Sequence, residues 1–519
     1  MTGTNSRAGA LELIEAVVDP GSWQSWDEPV ALRTDDPEYR ADLERARART
    51  GLDESVLSGE GRVEGRRVAV VACEFRFLAG SIGIDAGERL VRAVERATRE
   101  RLPLLAAPAS GGTRMQEGTI AFLQMVKVAA AITEHKAAGL PYLVYLRHPT
   151  TGGVLASWGS LGHVTAAEPG ALIGFLGPRV HEALYGEEFP AGVQLAENLL
   201  ANGLVDAVLS APQLAEVSAR VLRVLCADGA AAGAAEAGGG PTGPGAGVRA
   251  AVRGGGAAAP TAAESIRRSR EPARPGVRDL LRVAAVDVTP LSGTGAGEHD
   301  PGLLLALARV GGTPCVVLGH DRTRHAMDGP GQALGPGGLR TARRGMRIAA
   351  ELGLPLLTVV DTAGAALSRE AEEGGLAGEI ARCLADMVAL PAPTLCLLLG
   401  QGAGGAALAL LPADRVLAAR HAWLSPLPPE GASAILYRTT DRAYEIAGRQ
   451  GVRSADLLAH GIVDRIVEEE DNGSGGGPDG FLVRLGVVLG AELAALRTQD
   501  PEERHAARRA RHRGMGLPR

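Results

Sequence analysis

The chain of 519 residues carries one pattern twice. LPLLAAPASGG at 102–112 is matched by LPLLTVVDTAGA at 354–365, GLPYLVYLRHPTTGGVLAS at 139–157 by LPAPTLCLLLGQGAGGAAL at 390–408, and NGLVDAVL at 202–209 by HGIVDRIV at 460–467. The offsets are 252, about 250 and 258 residues, and the order is kept. Composition alone does not generate ordered matches at a near-constant offset, so the sequence reads as two copies of one fold. Short apolar runs alternate with helix-period segments: 68–73, 102–107 and 142–146 read as buried strands, 86–101 and 118–138 as helices. That alternation is the βαβ pattern of an α/β protein. Residues 227–263 hold almost no large apolar side chain and are loaded with Gly, Ala and Pro, the composition of a flexible linker. The expected layout is an N-terminal extension over 1–58, a first unit over 59–226, the linker, a second unit over 264–470, and a C-terminal helix with a basic tail over 471–519. A Gly-rich break at 471–480 precedes that helix, and the tail at 504–513 reads as a frayed, solvated end.

Composition removes several classes of function. A net charge of −6 is mild for this length and favours neither nucleic acid nor an anionic membrane. Of 54 basic residues two are lysine, Lys127 and Lys136, so any lysine-dependent chemistry is confined to those positions. The five cysteines, Cys73, Cys226, Cys315, Cys383 and Cys396, form no C-x-x-C pair, which argues against a zinc site and a disulfide framework. The histidines, His135, His148, His163, His320 and His325 among them, show no H-E-x-x-H spacing, and no metal is expected. The N-terminal stretch has acids within its apolar residues and does not read as a secretion signal. The most membrane-like stretch, 394–412, is broken by Gln401 and five Gly or Pro residues and reads as a buried strand–turn–helix. A cytoplasmic protein is expected.

The strongest local signal is a glycine pair after a buried strand, present in both copies. Gly152 and Gly153 follow the strand at 142–146; Gly404 and Gly405 follow the one at 395–399 and open a helix. A helix start presents unpaired N–H groups, and glycine lets a ligand approach them closely. Two such donors can hold a developing oxyanion; close helix–strand packing is the bland alternative. The run from Gly400 to Gly405 also fits G-x-G-x-x-G, but the acid that a dinucleotide site wants is missing from 420–425. Asp206 and Asp464 occupy equivalent places and read as turn or cap residues. Arg114, at a predicted helix start, can pair with a phosphate or stand in solvent. A duplicated α/β chain with two oxyanion cradles, and neither an evident nucleophile nor a metal motif, suits enolate chemistry on a thioester.

These residues resemble a known family. FRFLAGSIG (75–83), ASGGTRMQEG (109–118), PTTGGV (149–154) and ALIGFLGPRV (171–180) resemble the carboxyltransferase β subunit of bacterial acetyl-CoA carboxylase. GHDR (319–322), DTAGA (361–365), GQGAGGAAL (400–408), ADRV (413–416) and PEGASAIL (429–436) resemble its α subunit. The chain is thus similar to a fused β–α carboxyltransferase over roughly 60–210 and 280–467. The resemblance implies two ClpP/crotonase-like domains, duplicated ββα superhelix units. It implies carboxyl transfer from carboxybiotin to acetyl-CoA, with the biotin enolate taking the α-proton. It places one cradle on Gly152 and Gly153, the other on Gly405 and Ala406, and most of the CoA near Gly111, Gly112 and Arg114. No Met-Lys-Met biotinylation site is present. Biotin carboxyl carrier protein and biotin carboxylase are therefore expected as separate partners, and a homo-oligomer, dimer or higher, is typical of the family. The β subunit's four-cysteine zinc ribbon is missing, His163 stands where an aspartate is usual, and the 363–367 loop lacks the family's usual Pro-Gly and Tyr-Pro elements. A biotin-independent crotonase-like decarboxylase or hydratase, and a non-catalytic scaffolding paralogue, are the alternatives.

Overall fold

Each repeat folds into a seven-stranded sheet, and the two sheets have the same strand order. The computed structural model describes residues 7–32, 34–177, 181–183, 186–226, 259–322, 333–469 and 478–515. The first sheet takes β1 (Gln24–Ser25), β2 (Val56–Val63), β3 (Arg66–Cys73), β4 (Leu104–Ala107), β5 (Tyr142–Leu146), β7 (Val164–Ala167) and β9 (Ala207–Val208) in that order, while β6 (Thr150–Thr151) and β8 (Ile173–Gly174) form a separate parallel pair. The second takes β10 (Ala285–Leu291), β11 (Leu303–Val310), β12 (Thr313–His320), β13 (Leu356–Thr362), β14 (Thr394–Gly402), β15 (Arg415–Ala419) and β16 (Arg465–Val467). In both, the first three strands are antiparallel and the remainder parallel. The central parallel strands are buried along their length, as strands covered on both faces must be, which is why they read as continuous apolar runs.

Residues ahead of 59 pack as part of the first unit. Helix Ala10–Val17 buries Ala10, Leu13, Ile14 and Val17 in the same core as β3 and helix Ala211–Leu225. Helix Pro37–Thr50, capped by the Asp36 carboxylate, buries Tyr39, Leu43 and Ala46 against Phe77. Of the expected linker, 227–258 lies outside the described residues, as do 471–477, Arg179, Val180 and His325.

Asp206 is more than a turn residue. Its carboxylate accepts from Thr165 N at 2.9 Å and Ser292 N at 3.0 Å, and meets the Arg344 guanidinium with both oxygens at 2.8 Å. Arg344 sits on helix Pro336–Leu352 of the second unit, so this buried pair ties the two repeats together. His163 lies at the same junction: its Nδ1 accepts from Tyr142 N, and its Nε2 is 3.0 Å from Glu351 of the second unit. The counterpart of Asp206 in the second unit, Asp464, accepts from Val416 N at 2.7 Å and from Arg511 at 2.6 Å.

Arg511 belongs to the tail that the sequence gives as frayed; instead it forms helix Pro501–Gly514, docked on the second unit. Arg508 is 1 % exposed, holds Asp414 at 2.7 and 2.8 Å, and caps the carbonyls of Met387, Leu390 and Ala392. Arg504 and Arg508 are thus buried carbonyl donors and counter-charges, while Arg509 and Arg513 stay in solvent. The stretch 394–412 is β14 followed by helix Gly404–Leu410, and no described helix is long and apolar enough to cross a membrane.

Candidate active site: two backbone cradles

In the first unit the loop after β4 meets the turn after β5. A Cβ placed on Gly112 would lie at an ordinary 3.6 Å from both Gly152 Cα and Gly153 N, so the φ of 109°, not space, calls for glycine here. Ser110 Oγ accepts from Gly112 N at 3.0 Å, and Ser110 O accepts from Thr151 N at 2.9 Å. Gly152 (φ 63°) bends the chain into a short helix and gives its N–H to Phe175 O at 2.9 Å. The second unit repeats the arrangement bond for bond. Thr362 Oγ1 accepts from Gly364 N at 3.0 Å, Thr362 O from Ala403 N at 3.1 Å, and Gly404 (φ 67°) gives its N–H to Ser425 O at 2.9 Å. Ser110, Gly112, Gly152 and Gly153 therefore correspond to Thr362, Gly364, Gly404 and Gly405.

This correspondence corrects the expected pairs, which sit one register apart. The Gly152 N–H is engaged by Phe175, so Gly152 supplies the bend and not a donor. Gly153 and Val154 lie in the first turn of their helix, as Gly405 and Ala406 do in theirs, and none of the four N–H groups has a carbonyl partner among the described residues. Gly153 with Val154 is the counterpart of Gly405 with Ala406. Amides fixed in this way suit an oxygen that gains negative charge, because they need no reorientation as the charge develops.

A cavity of about 550 Å³ opens beside the first cradle, lined by Leu78, Ala79, Ser81, Gly111, Thr113 and Met115. Its walls are hydrogen-bonded to each other: Gly111 N donates to Ala79 O at 2.9 Å, Ile82 N to Gly112 O at 2.9 Å and Arg114 N to Ile82 O at 3.0 Å. Leu78, Ala79 and Gly80 run left-handed in succession (φ 45°, 57° and 61°), and each of the first two carries strain of about 1–3 kcal/mol. Gly111 lines the groove. Arg114 does not face it: it is 1 % exposed, pairs bidentately with buried Glu54 (2.8 Å for one contact), and donates to Ser81 O at 2.8 Å. Its guanidinium is saturated from behind the loop, so it holds the groove wall and offers no cation to a phosphate.

The second loop has a different support. Asp361, at the end of β13, is 2 % exposed and accepts from Gln401 N at 3.0 Å and Arg322 at 3.2 Å. Burial pushes its carboxyl above the ordinary range, while Arg322 opposes the shift. Gln401 in turn accepts from Arg270 at 3.1 Å, and Arg270 pairs with Glu430 at 2.7 Å. Asp361 stands in the sequence as the first residue of DTAGA and the carboxylate closing the apolar run LLTVVD, without a sign of its supporting role, and Glu54 carries no local signal. Among the described residues no cluster of His, Cys, Asp or Glu is arranged to hold a metal ion.

Comparison with known proteins places the chain. Residues 4–222 match the carboxyl transferase domain and residues 258–516 the acetyl co-enzyme A carboxylase carboxyltransferase-like family. A probable biotin-dependent acyl-coenzyme A carboxylase beta3 subunit of Mycobacterium tuberculosis is 58 % identical, over 99 % of this chain and 100 % of that protein. The chain belongs to the carboxyltransferases of biotin-dependent acyl-CoA carboxylases. The acetyl-coenzyme A carboxylase carboxyl transferase subunits beta/alpha of a Parafrankia species are 39 % identical over 99 % of this chain and 87 % of that one. Among solved structures, transcarboxylase 12S, with methylmalonyl-coenzyme A and methylmalonic acid bound, superimposes with a TM-score of 0.72 at 20 % identity, over 95 % of this chain and 91 % of that one. The fold is thus that of two crotonase-like units, and the resemblance found in the motifs holds over the whole length.

Proposed function

We propose that this carboxyltransferase moves the carboxyl group of carboxybiotin to acetyl-CoA, giving malonyl-CoA, with the biotin borne on a separate carrier protein and charged by a separate biotin carboxylase. The observation that carries the reading is the doubled cradle: the same loops, left-handed glycines and unpaired first-turn N–H groups in both units. The reaction has two oxygens to steady, and the chain has two places built alike. The first cradle, beside the 550 Å³ groove, takes the thioester oxygen of the acyl-CoA, with Gly153 as donor and Gly111 and Gly112 leaving room for the ligand. The second, with Gly405 and Ala406, takes the ureido oxygen of biotin. Bound carboxybiotin supplies the activated carboxyl group; the chain's own part is to orient both partners and to stabilise charge as the α-proton leaves, at about 10²–10³ in rate per donor.

Apolar side chains stand exposed in both units: Ile120, Phe122, Leu123 and Val126 on helix Gly118–Ala137, whose Met125 abuts Gly153, and Ile435 and Leu436 on helix Pro429–Tyr437. Faces of this kind support a homo-oligomer in which the first cradle of one protomer meets the second cradle of another.

The test is an acyl-CoA panel, from acetyl to longer chains, assayed with the cognate biotin carrier. Malonyl-CoA formation that requires the carrier and is fastest with acetyl-CoA is the expected result. Turnover without biotin would favour a decarboxylase or hydratase. Acyl-CoA binding without turnover, with all partners present, would favour a scaffold.

A further inference from the structure

We infer that Tyr39, on the helix ahead of the first unit's sheet, is a positioning residue for the acyl-CoA groove; the inference rests on the reading of that groove given above. Helix Pro37–Thr50 lies under the left-handed turn that forms one wall. Tyr39, Leu43 and Ala46 pack with Phe77, and Leu78 is packed against the same cluster. The Tyr39 hydroxyl donates to Glu117 Oε1 and accepts from Arg114 Nη1 at 3.4 Å. Each partner holds a different part of the site. Arg114 follows Thr113 in the opposite wall and, through Ser81 and Glu54, fixes the strained turn from behind. Glu117 caps Ile84 N, where the chain leaves the turn for helix Ile84–Arg99, and lies 3.5 Å from Arg114. One hydroxyl therefore joins both walls of the groove to the N-terminal helix. Left-handed Leu78 and Ala79 persist only while their surroundings impose that geometry, and Tyr39 is the part of those surroundings contributed by the N-terminal helix.

Tyr39→Phe keeps the ring packed and removes only the hydroxyl. Binding of acetyl-CoA to the full chain is measured by calorimetry, and steady-state kinetics with acetyl-CoA and the biotin carrier are run in parallel. The expected result is a rise of about tenfold in both Kd and KM for acetyl-CoA, the scale of one lost hydrogen bond to a charged group. The turnover number and the KM for the carrier stay within about twofold. Glu117→Gln, which keeps an acceptor and drops the charge, is expected to shift the same two constants by less. A folded Tyr39→Phe variant with acetyl-CoA affinity within twofold of the parent would overturn the assignment, and so would an equal rise in the KM for the carrier. A parent chain that binds no acyl-CoA would instead overturn the reading of the groove, an outcome distinct from an unchanged affinity in the variant.

Discussion

In the first unit the cradle loop rests on a buried cation; in the second it rests on a buried anion. The backbones correspond: Arg114 N donates to Ile82 O at 3.0 Å, and Ala366, its counterpart, donates to Leu334 O at 3.0 Å. Yet Arg114 is matched by an alanine, and Asp361 by Ala109 at the same offset of 252. What the repeat keeps is the course of the main chain, which sets where N–H groups point. What it exchanges is the side chain behind the loop, which needs only to be buried and satisfied.

Removing each support is the sharpest way to break this comparison. Arg114→Met leaves Glu54, whose side chain is 3 % exposed, as an unpaired buried charge, at an expected cost of about 3–5 kcal/mol. Asp361→Asn retains an oxygen for Gln401 N and removes a carboxylate already disfavoured by burial, so its cost is expected near the low end of the range for a lost buried hydrogen bond, about 1 kcal/mol. Urea unfolding of both variants checks the order. Equal losses would mean that the two loops are supported alike after all.

Deleting a donor addresses the cradles themselves. Proline is tolerated in the first turn of a helix, where its missing N–H has no intrahelical partner. Gly153→Pro and Gly405→Pro therefore remove one candidate donor each, with Met125 (3.2 Å from an added Cβ) and Ile380 (2.7 Å) having to shift to admit the ring. Each is expected to lower kcat by about 10²–10³. Near-normal turnover in a folded Gly405→Pro variant would count strongly against the second cradle, and the same result for Gly153→Pro against the first.

How far the sequence alone reveals this architecture depends on the range of the interactions involved. The parallel strands were legible because burial on both faces leaves an uninterrupted apolar run, as in Tyr142–Leu146, which begins and ends where the pattern does. The glycine pairs were legible because a left-handed bend after a strand restricts the residue type. Which N–H of each pair is available was not, since the answer lies in the carbonyls of Phe175 and Ser425, more than 20 residues away. Arg114 was misplaced for the same reason: Glu54, 60 residues earlier, decides whether it faces a ligand or the interior. The docked tail is a third case, because Asp414 gives no local sign that it will receive Arg508.

Acid titration should act unequally on the two units, although His421 of the second unit is also lowered by burial. His135, buried in the first unit, has its pKa pushed by burial down to about 4. Between an unfolded value near 6.5 and that folded value, the unfolded chain takes up a proton that the folded chain refuses. Stability is thus lost as pH falls through this window, by about 3 kcal/mol in all. Asp361 works in the opposite direction: with its carboxyl raised, the folded form holds the proton more tightly, so its contribution grows as pH falls toward the ordinary aspartate range. Hydrogen exchange on β4 and β5 against β13 and β14, from pH 6.5 to 4, should show the first unit losing more protection. His135→Gln should remove most of that difference. His163, also lowered by burial, sits at the junction and acts on both units.

A last pair of substitutions tests the register on which the whole comparison depends. Gly152 and Gly404 adopt the same left-handed conformation, φ 63° and 67°. An added Cβ would meet only ordinary contacts, Gly112 Cα at 3.5 Å in one case and Pro426 O at 3.5 Å in the other. Alanine at either site therefore carries conformational strain and little else, about 1–2 kcal/mol. The two variants should lose equal stability in urea and keep most of their turnover, because alanine keeps the N–H and its bond to the neighbouring carbonyl. A Gly152→Ala variant that loses 100-fold in kcat while Gly404→Ala does not would show that the two bends are not equivalent and undo the residue-by-residue match between the two cradles.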